Sequence, residues 1–133
     1  MLDHDDIHRF DVWYADLPGF PGSHVQFGMR PVVVISNNAA NQHSPVVTIV
    51  PLTSKIKPNS LPTHTIIHAK GLQVPSVALC EQLMTVDRRR LVNRIGTVQN
   101  RAEQHSICCC IQLQLGFAPL RRTSKATNAI NTT

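Results

Sequence analysis

"GMRPVVVISNN", residues 28–38, sets an arginine and a proline directly ahead of a run of four β-formers. Pro31 has no N–H to give a ladder, so it marks either the first residue of a strand or an edge. Val32 to Ile35 read as a strand buried on both faces, with Ser36, Asn37 and Asn38 as its turn. Arg30 thereby stands, charged and oriented, at the mouth of a rigid strand.

Upstream, "DVWYADL" at 11–17 alternates Val12 and Tyr14 with Trp13 and Ala15, which suits a strand partly covered on both faces. "PGFPGSHVQFG" follows, with two prolines and three glycines in eleven residues. That is a long loop, and long loops inside small domains tend to carry function. Downstream, 38–45 reads as a polar connection. Residues 46–54 read as a strand bent or ended by Pro51, 63–69 and 76–86 as further strands, and "IGTV" as a short closing strand. "DRRRLVNR" reads as one helical turn. Five or six short strands with a turn every eight to twelve residues predict a mainly β fold, a small barrel or sandwich. Only the end has helical period. From Asn100, a suitable N-cap, to Leu115, apolar Ile107, Ile111 and Leu115 recur every four residues, Cys108 widens the stripe and Gly116 stops it.

The 133 residues suit one domain, 1–120, followed by a tail at 121–133 too poor in apolar residues to pack. No apolar run approaches the roughly 18 residues of a membrane span, and the acidic N-terminus lacks a basic start and apolar stretch, so a cytoplasmic location is expected. Thirteen basic against eight acidic residues give a formal charge of +5, a mild pointer to an anionic partner. Arg121, Arg122 and Lys125 of the tail hold three of those charges. Cys80 and the triplet Cys108, Cys109 and Cys110 match neither a disulfide framework nor a zinc site, and read as reduced, mostly buried thiols. No metal or cofactor is expected, and no phosphate loop, zinc-protease or nucleophile-elbow motif occurs.

Two side chains remain. Arg30 opens one strand and Thr53 closes another, both beside loops where sites are commonly built. A guanidinium fork matches phosphate geometry and a threonine hydroxyl can donate to a phosphate oxygen, so the pair could stabilise a pentavalent phosphorus. The structural alternative is an arginine paired to a carboxylate and a threonine capping a turn. A strand histidine such as His64 or His68 reads as structural.

The linked set "DVWYADL", "GS" at 22–23, Gln26, "RPVVVISN", "HSP", "PLTS", "LPTH", "EQ" with "TVDRRRL", and "RIG" resembles the MazF/PemK toxins in order and spacing from about residue 9 to 117. The resemblance implies an SH3-like barrel of the MazF/PemK/CcdB toxin type with a C-terminal helix. It implies the toxin of a type II toxin–antitoxin system, a metal-independent endoribonuclease that cuts single-stranded RNA at short sequences. It further implies a homodimer, a cognate antitoxin over the same groove, and DNA contact only through an antitoxin complex. By the matching motifs, Arg30 and Thr53 correspond to catalytic positions. Ser23 and Gln26 correspond to loop positions near RNA, and Glu81 with Gln82 to a strand pair that binds it. Attack of a ribose 2′-hydroxyl on the adjacent phosphate would give a cyclic phosphate and a 5′-hydroxyl.

Departures sit mostly upstream of Arg30. Relatives often read Ser-Glu-Gln-Gly-Gly there, whereas "SHVQFGMR" is one residue longer and lacks the glutamate. His24 is the only titratable side chain in that stretch, and imidazole chemistry suits either proton transfer near neutrality or a phosphate contact. Phe10 replaces a usual glycine, and Met84 a usual arginine for which Arg88, Arg89 and Arg90 could compensate. Trp13 and Phe27 are the candidates for base stacking, with Phe27 also read as a loop anchor. Two other classes stay open: a non-catalytic inhibitor on the same barrel binding a protein such as a gyrase, and an RNA-binding module without turnover.

Overall fold

In the computed structural model, which describes residues 6–57 and 60–117, the valine run lies at the centre of an antiparallel sheet. β1 (Asp11–Leu17) and β2 (Gly28–Val34) form a hairpin across the long loop, with Val12 opposite Val33 and Trp13 opposite Val32. β3 (Val46–Thr53) flanks β2 on its other side, and β7 (Leu91–Thr97) flanks β1. β4 (His64–Ile67) and β5 (Ser76–Leu79) extend the sheet from the far end of β3, while β6 (Met84–Asp87) pairs with its near end. The mainly β architecture is as expected, with seven strands among the described residues instead of five or six. The tail expected to be mobile lies outside the described residues.

Period two explains why β2 is buried on both faces. Val32 and Val34 enter one core with Trp13, Ala15, Leu17, Val47 and Ile49. Val33 enters a second with Val12, Val50, Leu52, Ile67 and Ile107. Successive side chains of β1, β2 and β3 feed opposite sides of one sheet, so a continuous apolar run is required there. All three valines are fully buried, and each contributes on the order of 2 kcal/mol.

Pro31 meets one of its two expected placements, and Pro51 does not end its strand. β2 begins at Gly28, so Pro31 is its fourth residue. Its edge reading survives, because the register with β3 starts only at Val32 and β2 is paired with β1 alone before that. Pro51 is buried inside β3 without ending it. It falls between the stretch 46–49 paired to β6 and the stretch 52–53 paired to β5, where that side of β3 changes partner and needs no donor.

Other expectations need correction. The polar connection contains α1 (Asn38–His43), capped by the Asn37 side chain on the Ala40 N–H, and its buried Asn41 bonds back to the Ser36 carbonyl. The single strand at 76–86 is two strands broken by a 3₁₀ turn, Cys80–Gln82, so Glu81 and Gln82 sit on a turn and not on a strand. The helical turn is confined to Arg88–Arg90, and the closing strand runs from Leu91.

α2 (Arg101–Leu115) begins at Asn100, whose side chain accepts from the Glu103 N–H, and stops at Gly116 with φ 76°, as expected. Its buried face is Ile107 and Cys110 with Ile111 packed beside them, whereas Leu115 points to solvent. Spacing of three and four, not four and four, follows the helix surface. All four cysteines are free, but only Cys80 and Cys110 are buried. Burial pushes the Cys80 thiol up to about 12, making it a small apolar core group.

Candidate functional site

Because β3 pairs with β2 only from Val32 onward, residues 28–31 are paired with β1 alone, and Arg30 lines a cleft there. Arg30 lies opposite Ala15 in the β1 register, and its Nε donates to the Phe27 carbonyl at 3.2 Å. The bond anchors the base of the guanidinium. Its terminal amino groups make no hydrogen bond or ion pair with the described residues, so the carboxylate-paired alternative does not hold. Thr53, at the other strand end, lines the same cleft, a cavity of about 300 Å³. Its Oγ1 accepts the Lys55 N–H at 3.2 Å, the turn-capping geometry, and its hydroxyl hydrogen stays available to donate.

Thr53 also lines a second hollow of about 750 Å³, so the two meet at it. That hollow gathers His24 and Gln26 from the long loop, Lys55 and Lys57 beyond β3, and Glu81 with Gln82 from the 3₁₀ turn. Gln82 Oε1 accepts the Gln26 backbone N–H at 2.8 Å and so ties the loop to the turn. Gln26 Oε1 is buried with no hydrogen-bond partner among the described residues. Glu81 takes the Thr63 hydroxyl at 3.0 Å on one oxygen and His64 Nε2 at 2.9 Å on the other. Burial pushes the Glu81 carboxyl up, but the hydrogen bonds from His64, its own backbone and Thr63 prevail and hold it below the usual range. His64 Nδ1 accepts the Leu61 N–H, which leaves Nε2 as the donor to Glu81. With both ring nitrogens occupied, His64 is a strut for Glu81, the structural role expected of it.

The remaining candidates separate. Ser23 accepts the Val25 N–H and shapes the loop, outside both hollows. Phe27 anchors the loop: a β-carbon on Gly19 would collide with its Cβ and Cγ. Trp13 is only 3% exposed and packs in the core, so it offers no face to a base. Its neighbour Tyr14, 39% exposed, is the aromatic residue that lines the Arg30 cleft. Period two carried that signal: where Trp13 points in, Tyr14 points out. Met84 packs beside the first core. Arg88, Arg89 and Arg90 bond to the Ser44 carbonyl, Asp87 and Asp16 and line neither hollow. Among the described residues no group of three or more His, Cys, Asp or Glu side chains is placed to hold a metal ion, and no helix is long and apolar enough to cross a membrane.

The chain is thus a mainly β domain in which an arginine with unpaired terminal donors borders, through Thr53, a hollow lined by two lysines, two glutamines and Glu81. Comparison with known proteins narrows the class. The family model for PemK-like, MazF-like toxins of type II toxin–antitoxin systems matches residues 8–115, and the chain belongs to that family. Nuclease activity in general comes with that membership. Endoribonuclease EndoA of Bacillus subtilis (strain 168) is 43% identical over 91 residues, 67% of this chain and 78% of that protein. Two solved structures share the fold. MazF (Form-I) from Deinococcus radiodurans has a TM-score of 0.70 at 21% identity, over 83% of this chain and 96% of that one. A mycobacterial endoribonuclease in complex with its cognate antitoxin has a TM-score of 0.69 at 23% identity, over 86% and 99%.

Proposed function

We propose that the chain is a metal-independent endoribonuclease toxin that cuts single-stranded RNA by 2′-hydroxyl attack, with Arg30 and Thr53 at the reacting phosphate. The observation that carries this reading is the Arg30 guanidinium, anchored at Nε, free at its terminal nitrogens, and sharing its cleft with Thr53. The scissile phosphate sits at the junction of the two hollows. The strand on one side lies along His24, Gln26, Lys55, Glu81 and Gln82, and on the other enters the cleft with Tyr14 as a stacking face.

In the reaction the 2′-oxygen loses its proton and bonds to phosphorus, the bond to the 5′-oxygen breaks, and that oxygen leaves protonated. Charge builds on the non-bridging oxygens, and a two-pronged donor fixed before substrate arrives stabilises it without reorganisation. Thr53 donates to the same phosphate and holds it in line. His24 lines the strand-binding hollow rather than the Arg30 cleft, which suits a phosphate contact better than a general base. A homodimer and an antitoxin covering the groove belong to the same reading, in keeping with the antitoxin complex of the mycobacterial relative.

Incubating the purified protein with a long single-stranded RNA in EDTA tests this. Cuts at a short recurring sequence, with 2′,3′-cyclic phosphate and 5′-hydroxyl ends, are expected. Intact RNA that binds tightly would point to a binding module, and intact RNA without binding to a protein-directed inhibitor. Either result overturns the proposal.

A further inference from the structure

The wall of the Arg30 cleft opposite the hairpin comes from the connection between β4 and β5, residues 68–75, none of which the family motifs single out. This connection is held unusually close to β7. A β-carbon on Gly71 would collide with the Ile95 carbonyl, and one on Gly96 would lie 3.1 Å from the Gly71 nitrogen. Backbone therefore packs on backbone across a seam that only glycine permits at Gly71. The Leu72 N–H closes a turn on the Ala69 carbonyl at 2.9 Å, and the Leu72 side chain packs against the core beneath. A loop pinned in this way is a fixed wall, not a flap.

Directly beyond the seam, Gln73 lines the cleft together with Arg30, Thr53 and Tyr14. It is exposed and makes no hydrogen bond with the described residues. A primary amide offers a donor and an acceptor side by side, the pattern that pairs with the polar edges of an unstacked base. Lysine or arginine here would hold phosphate without regard to sequence; an amide discriminates. We infer that Gln73 is a specificity-determining residue that reads the base of the nucleotide beside the scissile phosphate, with the Gly71 seam holding it in position. The inference rests on the endoribonuclease reading above.

Sequencing the ends that the wild type, Gln73→Ala and Gln73→Glu produce from one transcript pool tests it. Gln73→Ala is expected to relax the preference at one nucleotide next to the cut by about tenfold, with a smaller loss in total cleavage. Gln73→Glu replaces the donor by an acceptor and should exchange the preferred base at that same nucleotide. Gly71→Ala, checked for folding by circular dichroism, should relax the same nucleotide because the wall must shift. Unchanged cut-site profiles, or a loosening spread evenly over every position, overturn the inference. A wild type that cuts no RNA at all instead removes the functional reading on which it rests, so the two failures are distinguishable.

Discussion

The two halves of β2 have opposite surroundings. Val32, Val33 and Val34 are wholly buried and lie between β1 and β3, while Gly28 to Pro31 are paired on one side only and end in the open cleft. The buried half has no chemistry and the open half has little packing, yet they are one continuous strand. The lesson concerns preorganisation. A donor fork at the unpaired end of a strand is held in place by the packing of the other end, so Arg30 needs only one hydrogen bond of its own.

Substitutions in each half should therefore separate activity from stability. The largest effect is expected for Arg30→Ala. RNA cleavage should fall by about 10²–10³-fold or more, while the denaturant midpoint stays within about 0.5 kcal/mol of wild type. Arg30→Lys keeps the charge without the fork and should recover only part of the rate. A parallel loss of stability in Arg30→Ala would mean that the open half is structural after all. Val33→Ala tests the other half. It removes two methyl groups from the second core and should cost about 2–3 kcal/mol in urea unfolding, with the cleavage rate per folded molecule unchanged below the transition. If activity fell before the fold did, the division within the strand would be wrong.

Much of this was readable before the structure, and the misses have physical causes. The valine run, the helix from Asn100 to Leu115 and the strand-end position of Thr53 rest on local periodicity and capping, which sequence displays directly, whereas Arg30, expected to open its strand, is the third residue of β2. Pro51 misled because a proline's tolerance depends on which neighbour its missing N–H would have met, a matter of register between β3, β5 and β6. The stretch 76–86 read as one strand because apolar residues continue through Cys80. The turn there follows from β5 and β6 pairing with different ends of β3. Within the site, Tyr14 lay within reach of the alternation rule, but Gln73 did not. Its place in the cleft depends on a contact between Gly71 and Ile95, two residues far apart in the chain.

The open half is surrounded by polar ties instead of packing, which makes its neighbourhood sensitive to acid. Glu81, joined to Thr63 and His64, has its carboxyl pKa lowered in the fold, so folding favours the charged form. Its contribution is present above the unfolded carboxylate pKa of about 4.3 and is lost as pH falls through the lower folded value. Glu81→Gln removes the charge and keeps one acceptor oxygen, enough for Thr63 or His64 but not for both. The melting temperature of the wild type should exceed that of the variant at pH 6–7, and the gap should close as the pH is taken towards 3. A constant gap would assign the stabilisation to shape and not to charge, and Val33→Ala should show such a constant gap.

The smallest effect belongs to Phe10, which meets the buried half through its N–H on the Val34 carbonyl at 2.7 Å. Phe10 has φ 72°, the only positive φ outside glycine among the described residues, at the position where the family resemblance expects glycine. The left-handed backbone costs a side-chain residue about 1–2 kcal/mol. Against this, the ring packs beside the second core and lies 5.0 Å under the Arg9 guanidinium. Glycine would relieve the backbone while losing the ring and adding about 0.5–1 kcal/mol of unfolded-state entropy, so Phe10→Gly should change stability by less than about 1 kcal/mol. Phe10→Ala loses the ring and keeps the backbone cost. It should be the less stable of the two by about 1 kcal/mol, the reverse of the usual order of alanine and glycine, read as a difference in urea midpoint. Alanine above glycine would show that the left-handed backbone of residue 10 does not set the stability at this position.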